Sequence, residues 1–149
     1  MKYAMQGAVV MEFKKFGNQY ILRLDKGEEI VGTLQKFCEK ERIKAGFIQG
    51  IGAVNKAVVG AFNTGTKEFR PTELSGIYEI TSLLGNVSEM DGEVYLHLHI
   101  NLADEKCRTF GGHLKSAVIS ATGELAIETV EGEAGRKYSE EIGLNLYRF

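Results

Sequence analysis

The sequence predicts an α+β fold in which one main helix packs on a mostly antiparallel β-sheet. Hydrophobic residues make up 44% of the 149 residues, enough for a single domain, residues 1–149, with its own core. Only one segment shows helical spacing, whereas about eight short segments show strand patterns. The 18 glycines and the single proline are typical of a strand-rich fold with many tight turns and bulges.

The first two elements are a strand and the helix. Within Gln19–Leu24, every second residue is apolar, which predicts a half-buried strand. Asp25 and Glu28 stand three residues apart, as in a capping box at the start of a helix. We therefore predict a helix over residues 28–42, whose apolar residues at helical spacing are Ile30, Val31, Leu34, Phe37 and Cys38.

Two short apolar runs, Phe47–Ile51 and Lys56–Phe62, follow the helix and predict two strands. Gly50, inside the first run, and Gly52, just after it, have the spacing that opens a dinucleotide-binding fingerprint. The third glycine and the crossover helix of that fingerprint are missing from the sequence. The sequence therefore does not favour a nucleotide site of this type.

The rest of the chain reads as further strands joined by turns. Gly85-Asn86 is predicted to close one strand, and Gly123-Glu124 is predicted to form a hairpin turn. An antiparallel sheet accounts for such short connections. The predicted strands are Ile77–Leu84, Val94–Leu102, Ser116–Ser120, Leu125–Val130 and Leu144–Phe149.

Charge, cysteine content and the length of apolar runs limit the classes of protein to which the chain can belong. Lys plus Arg (18) and Asp plus Glu (20) leave a net charge of −2, without the basic surplus usual in nucleic-acid binders. The two cysteines predict no disulfide framework, and Cys38 is interpreted as a core residue. Apolar runs are too short for a membrane span, and Ala4–Met11 is a poor signal peptide. We expect a cytoplasmic protein without a membrane partner.

Three histidines stand out as candidate metal ligands. Residues two apart on a strand share a face, so His97 and His99 point the same way. His113 follows Gly111-Gly112, a pair that allows the sharp turn needed to return it to the other two. Three imidazoles and an open fourth position form a ligand set of catalytic zinc. The sequence therefore predicts a Zn²⁺ site at His97, His99 and His113, although another divalent ion can occupy such a site.

Other interpretations of these residues stay open. The histidine pair also fits the polar face of an amphipathic strand, with His113 in a loop. Asp104, Glu105 and Cys107 lie between the histidines and are weaker candidate ligands. Glu79 and Glu128 lie on predicted strands and are candidates for acid–base chemistry. No motif of a catalytic nucleophile is present.

Several short motifs stand in a specific order and spacing along the chain. They are Gly27-Glu28-Glu29 at the helix start, the segments Ala45–Ala53 and Tyr78–Asn86, His97-Leu98-His99, and Gly111-Gly112-His113-Leu114. Together they resemble the PPC domain, the "plants and prokaryotes conserved" domain, from about Tyr20 to Phe149.

The resemblance implies a free-standing PPC-domain protein that assembles as a homotrimer and acts in DNA-associated or regulatory binding. In the plant members, DNA contacts come from AT-hook motifs, and this sequence lacks their Arg-Gly-Arg-Pro core. Ile77 also stands where the plant segment Gly-Arg-Phe-Glu-Ile-Leu has arginine. The resemblance therefore implies, at most, weak DNA binding by this chain alone.

A fold-level analogy offers an alternative function. The PPC fold resembles alpha-acetolactate decarboxylase, a metalloenzyme that binds zinc through His-x-His and a later histidine. The analogy rests on His97, His99 and His113 alone. It implies a zinc-dependent enzyme with a small-molecule ligand at the metal. The sequence leaves open whether the chain is an enzyme, and whether the histidines meet within a chain or across subunits.

Overall fold

A computed structural model describes residues 11–149, which contain eight strands and one helix. Apart from Met11, the Ala4–Met11 stretch lies outside these residues, so its interpretation stays a prediction. No helix of residues 11–149 is long and apolar enough to cross a membrane. The elements in chain order are β1 (Glu12–Phe16), β2 (Gln19–Asp25), α1 (Ile30–Glu41), β3 (Gly46–Asn63), β4 (Glu68–Met90), β5 (Glu93–Ala103), β6 (Thr109–Thr129), β7 (Gly135–Ser139) and β8 (Leu144–Arg148).

The long strands β3, β4, β5 and β6 pair with one another in a closed ring. Each of the four pairs with two others of the set, and all of these pairs are antiparallel. The β1–β2 hairpin extends the sheet from β6. The β7–β8 hairpin joins β4 through one parallel pair, Glu89 with Gly135. The predicted α+β class with a mostly antiparallel sheet is confirmed.

The core lies between the inner face of the ring and α1, which packs on β5 and β6. The side chains that α1 buries are Ile30, Leu34, Phe37 and Cys38, all predicted from their spacing. Burial raises the pKa of the Cys38 thiol to about 12, as expected for an unreactive core cysteine. The fully buried Leu98, Ile100 and Leu102 supply the inner face of β5.

The start of the helix differs from the predicted capping box. Glu28 does accept a hydrogen bond from the Asp25 backbone N–H at 2.6 Å, which is half of such a box. The N-cap, however, is Glu29, whose carboxylate accepts the N–H groups of Val31 and Gly32. The same carboxylate accepts the Ala117 N–H of β6 at 3.1 Å. Glu29 therefore joins the helix to the sheet, a tertiary role that no local pattern indicates.

The predicted hairpin at Gly123-Glu124 is wrong. β6 runs without interruption from Thr109 to Thr129, and Gly123 pairs there with Gly52 of β3. The register between β3 and β6 shifts next to this pair, so the irregularity is a β-bulge rather than a turn. A side chain at Gly123 would lie 2.7 Å from Ile119 Cδ1, which accounts for the glycine by close packing.

Two other predicted strand breaks are also absent. The runs Phe47–Ile51 and Lys56–Phe62 belong to one strand, β3, which bulges between them. Gly85-Asn86 does not close a strand, because β4 continues to Met90 and pairs through Gly85 with Leu98. The glycines and polar residues that predicted turns therefore lie inside long, bent strands. β1 and β7 were not predicted.

Candidate metal centre

The three histidines lie on the outer face of the strand ring. His97 and His99 project from β5, opposite the inner-facing Leu98 and Ile100, as the alternation predicted. His113 lies on the adjacent strand β6, directly across from His99 in the antiparallel register. The three side chains therefore meet within one chain.

The route by which His113 reaches the pair differs from the prediction. Gly111 and Gly112 do not form a turn, because both lie inside β6 and pair with Asn101 and Ile100. The chain reverses earlier, over residues 104–108, where the Asp104 carboxylate accepts the Arg108 backbone N–H at 2.9 Å. The hairpin register then places His113 beside His99.

The glycine pair has a packing role instead. A Cβ on Gly112 would lie 2.5 Å from the backbone oxygen of Gly60 on β3. Gly60 is also the β3 partner of His113. Because a real Cβ cannot approach an oxygen so closely, glycine at position 112 permits the close packing of β3 and β6 beside the histidines.

The imidazoles are close enough to share one ion. The ring centroids of His97, His99 and His113 are separated by 5.1 to 5.5 Å. One nitrogen from each ring can be chosen so that all three lie within 4.8 Å of one another. The Nε2 atoms of His97 and His99 are 3.2 Å apart. The ring of Phe69 packs edge-on against His113, with centroids 5.7 Å apart.

The surroundings of the cluster favour neutral imidazoles. Burial, with smaller contributions from His113, Arg136 and His99, lowers the pKa of His97 to about 4. Burial and the nearby His99 also lower the pKa of His113. Removing a charge from water disfavours the protonated ring, and neighbouring positive charges add to the effect. At neutral pH, both rings therefore keep a nitrogen lone pair for a metal.

These shifts predict a pH dependence for the metal-free protein. Because the folded chain binds these protons less tightly than the unfolded chain, the two rings contribute stability that is complete above about pH 6.5. That contribution is lost as the pH falls from 6.5 through the folded-state pKa of His97, about 4. We expect the His97 ring resonances in an NMR titration to have a midpoint near pH 4. A midpoint near 6.5 would contradict the described burial.

The other candidate residues do not join the cluster. Cys107 is exposed in the turn after β5, and Asp104 is held there by Arg108. Among residues 11–149, the group that could share a metal contains only the three histidines. Glu79 and Glu128 are exposed and lie outside this group, so neither stands at the histidines as an acid or base.

One neighbour of the cluster was not predicted. Arg136 of β7 donates hydrogen bonds to Asn86 Oδ1, Ser88 Oγ and the Asn145 backbone oxygen at 2.7 to 2.8 Å. Asn86 is the β4 residue directly across from His97. The arginine therefore borders the histidine cluster on the His97 side. Arg136 is distant from the histidines in the sequence, so no local sequence pattern predicts this contact.

The sequence profile of the Plants and Prokaryotes Conserved (PCC) domain matches residues 11–131. A curated relative, the bifunctional protein GlmU of Synechococcus sp. (strain JA-3-3Ab), is 32% identical over 110 residues. These residues cover 72% of this chain but only 16% of GlmU. The likeness therefore concerns a small part of that protein.

Two solved structures share the fold over nearly their full lengths. A candidate DNA-binding protein of Bacteroides thetaiotaomicron is 37% identical, with a TM-score of 0.91, over 93% of this chain and 97% of its own. A metal-containing protein of Archaeoglobus fulgidus is 35% identical, with a TM-score of 0.82, over 95% of this chain and 100% of its own.

Proposed function

The chain belongs to the Plants and Prokaryotes Conserved (PCC) domain family, and on this premise we propose that it is a metal-binding regulatory protein whose three histidines hold one divalent cation, Zn²⁺. The observation that carries the proposal is the convergence of three nitrogen ligands within 4.8 Å. The metal-containing relative from Archaeoglobus fulgidus supports it.

The donor set fits zinc in both chemistry and size. Tetrahedral Zn²⁺ binds imidazole nitrogen at about 2.0–2.1 Å, which places neighbouring ligand atoms roughly 3.3–3.4 Å apart. The 3.2 Å between the Nε2 atoms of His97 and His99 is close to that value, and His113 needs only a small side-chain adjustment. Three histidines leave a fourth position for water or a ligand oxygen, which a bound Zn²⁺ would polarise as a Lewis acid.

Equilibrium dialysis followed by elemental analysis tests the proposal. Protein stripped with a chelator and dialysed against micromolar Zn²⁺ should retain about one ion per chain. Ni²⁺ and Co²⁺ should compete, because imidazole sites select poorly among these ions by affinity alone. Retention below about a tenth of an ion per chain would contradict the site.

DNA binding is a second candidate function, favoured by the candidate DNA-binding relative from Bacteroides thetaiotaomicron. The net charge of −2 opposes strong attraction to phosphates. We expect a generic duplex to bind with a Kd in the non-specific range of about 10⁻⁴–10⁻⁶ M at physiological salt. Fluorescence anisotropy should show binding that weakens steeply as salt rises from 50 to 200 mM. A nanomolar, sequence-selective complex would contradict this expectation.

We propose further that the protein assembles as a homotrimer through an apolar patch on its outer sheet face. The patch consists of Ile21, Phe47, Ile51 and Leu84, which are 48–61% exposed. Two grooves of about 430 Å³ each lie on the same patch. Large apolar side chains clustered on one face are typical of protein interfaces, and burial in subunit contacts would remove them from water.

Light scattering tests the assembly and its location. Three chains of 16.5 kDa should give a mass of about 50 kDa at micromolar concentration. Ile51→Lys should shift the mass towards a single chain, because it places a charge inside the patch. Ile77→Lys, at an exposed isoleucine of β4 outside both grooves, is the matched control and should stay trimeric. A single-chain mass for the unmodified protein would refute the trimer.

The enzymatic alternative gains no such support. The similar proteins described above include no acetolactate decarboxylase, and the analogy still rests on the three histidines. The two carboxylates considered for acid–base chemistry, Glu79 and Glu128, lie outside the cluster. We therefore propose metal binding without assigning a reaction.

A further inference from the structure

We infer that the open position of the histidine site receives a small organic carboxylate, which Arg136 binds through its second oxygen. The inference rests on the proposed metal site and adds to it the chemical class of the ligand. Three features of the described residues carry it: the unpaired charge of Arg136, its position beside His97, and the apolar rim of the site.

Arg136 is held rigidly but lacks a counter-ion. Its guanidinium lies over the rings of Tyr95 and Tyr147, 4.9 and 4.3 Å from their centroids. Its three hydrogen-bond acceptors, Asn86, Ser88 and Asn145, are all neutral groups. No Asp or Glu in the described part of the chain forms an ion pair with it. A half-buried cation without a carboxylate partner favours an anionic ligand.

The guanidinium has donors left for such a ligand. Of its five N–H groups, these three hydrogen bonds use one on Nε and one on each terminal nitrogen. One N–H therefore remains on each terminal nitrogen. A carboxylate accepts such donors in charge-assisted hydrogen bonds, which are shorter and stronger than neutral ones.

The strand step from Tyr95, which lies under Arg136, to the first proposed metal ligand is compatible with a bridging carboxylate. Tyr95, beneath the guanidinium, is two residues before His97 on the same strand face, a step of about 6.6 Å. A carboxylate that binds a metal through one oxygen at about 2.0–2.2 Å can accept an N–H through the other at about 2.7–2.9 Å. The metal–oxygen distance, the width of the carboxylate and the hydrogen bond together span a length comparable to that step. With neutral ligands, a bound divalent ion adds two positive charges that also favour an anion.

The rim of the site indicates an organic rather than an inorganic anion. Leu84, a member of the apolar patch proposed for the subunit contacts, lies on β4 directly across from His99. The Phe69 ring contacts His113 from the other side. Apolar side chains beside the open position would bury a hydrocarbon group attached to the carboxylate.

Titration of the Co²⁺-loaded protein tests the inference, because the visible spectrum of Co²⁺ reports a change in its ligands. The probe is isobutyrate, and its uncharged control is isobutyramide at the same ionic strength. We expect a saturable spectral change with isobutyrate only. Arg136→Gln should raise the isobutyrate Kd by at least about tenfold, the loss expected for a charge-assisted hydrogen bond.

Lys137→Gln is the matched control, because it removes one positive charge from the adjacent residue, on the opposite face of the hairpin. It should change the Kd by less than about twofold. Arg136→Lys keeps the charge without the forked geometry and should give an intermediate Kd. This variant tests the role of Arg136 if Arg136→Gln does not fold.

The outcomes separate the two proposals. Cobalt content is measured on every sample, and failure to bind cobalt would overturn the metal site and the carboxylate site together. Normal cobalt content with equal isobutyrate affinity in the Arg136 and Lys137 variants would overturn only the role of Arg136. Equal binding of isobutyrate and isobutyramide would overturn the carboxylate.

Discussion

Replacing His97 with alanine should reduce bound zinc from about one ion per chain to near zero in dialysis at micromolar Zn²⁺. Loss of a residue that only orients a metal ligand costs about 10–100-fold in affinity, so loss of a ligand should exceed 100-fold. The fold should persist, because the inner face of β5 is formed by other side chains, including Leu98, Ile100 and Leu102. Elemental analysis and circular dichroism together measure both effects.

Asn101→Ala is the matched control for that variant. Asn101 lies on the same face of β5, two residues beyond His99, but is not one of the three converging ligands. It should keep about one zinc ion per chain. Full zinc retention by His97→Ala would show that two histidines suffice, or that the ion binds elsewhere.

Gly112→Ala should both destabilise the protein and weaken zinc binding. The new Cβ would meet the Gly60 backbone oxygen at 2.5 Å, so β3 and β6 must separate where His113 is held. Overpacking of this kind costs about 1–3 kcal/mol. Chemical denaturation should show a loss of this size, and a zinc titration should show a raised Kd because His113 is displaced from its position opposite His99.

The control for that substitution is Gly135→Ala. A Cβ at position 135 would lie 3.5 Å from its nearest neighbour, the Arg148 backbone oxygen, which is an ordinary contact. Its free energy of unfolding should change by no more than about 0.5 kcal/mol. Equal stability of Gly112→Ala and the unmodified protein would show that the close approach of β3 and β6 is not needed.

The local periodicity of the sequence predicted the parts of the site that depend on one strand. Alternation around His97 and His99 identified both the shared polar face and the buried face, because side chains on a strand have a period of two. The helix was likewise predicted to within two residues, from 28–42 to Ile30–Glu41. The grouping of all three histidines was also predicted from the residues, although through a glycine turn rather than through the hairpin register that the structure shows.

What the sequence could not predict depends on contacts between distant segments. Gly123 and Gly111-Gly112 carry a turn signal, yet each is glycine because another strand or side chain approaches it closely. Glu29, which caps the helix, also accepts the N–H of Ala117, 88 residues away. Arg136 reaches the site through Asn86, 50 residues away. Such pairings follow from sheet register, which local patterns do not specify.

Anomalous diffraction at the zinc absorption edge, from crystals of zinc-loaded protein, tests the metal site most directly. We predict one strong peak per chain, about 2.0–2.1 Å from a ring nitrogen of each of His97, His99 and His113. The absence of a peak there, or a peak held by other residues, would contradict the account.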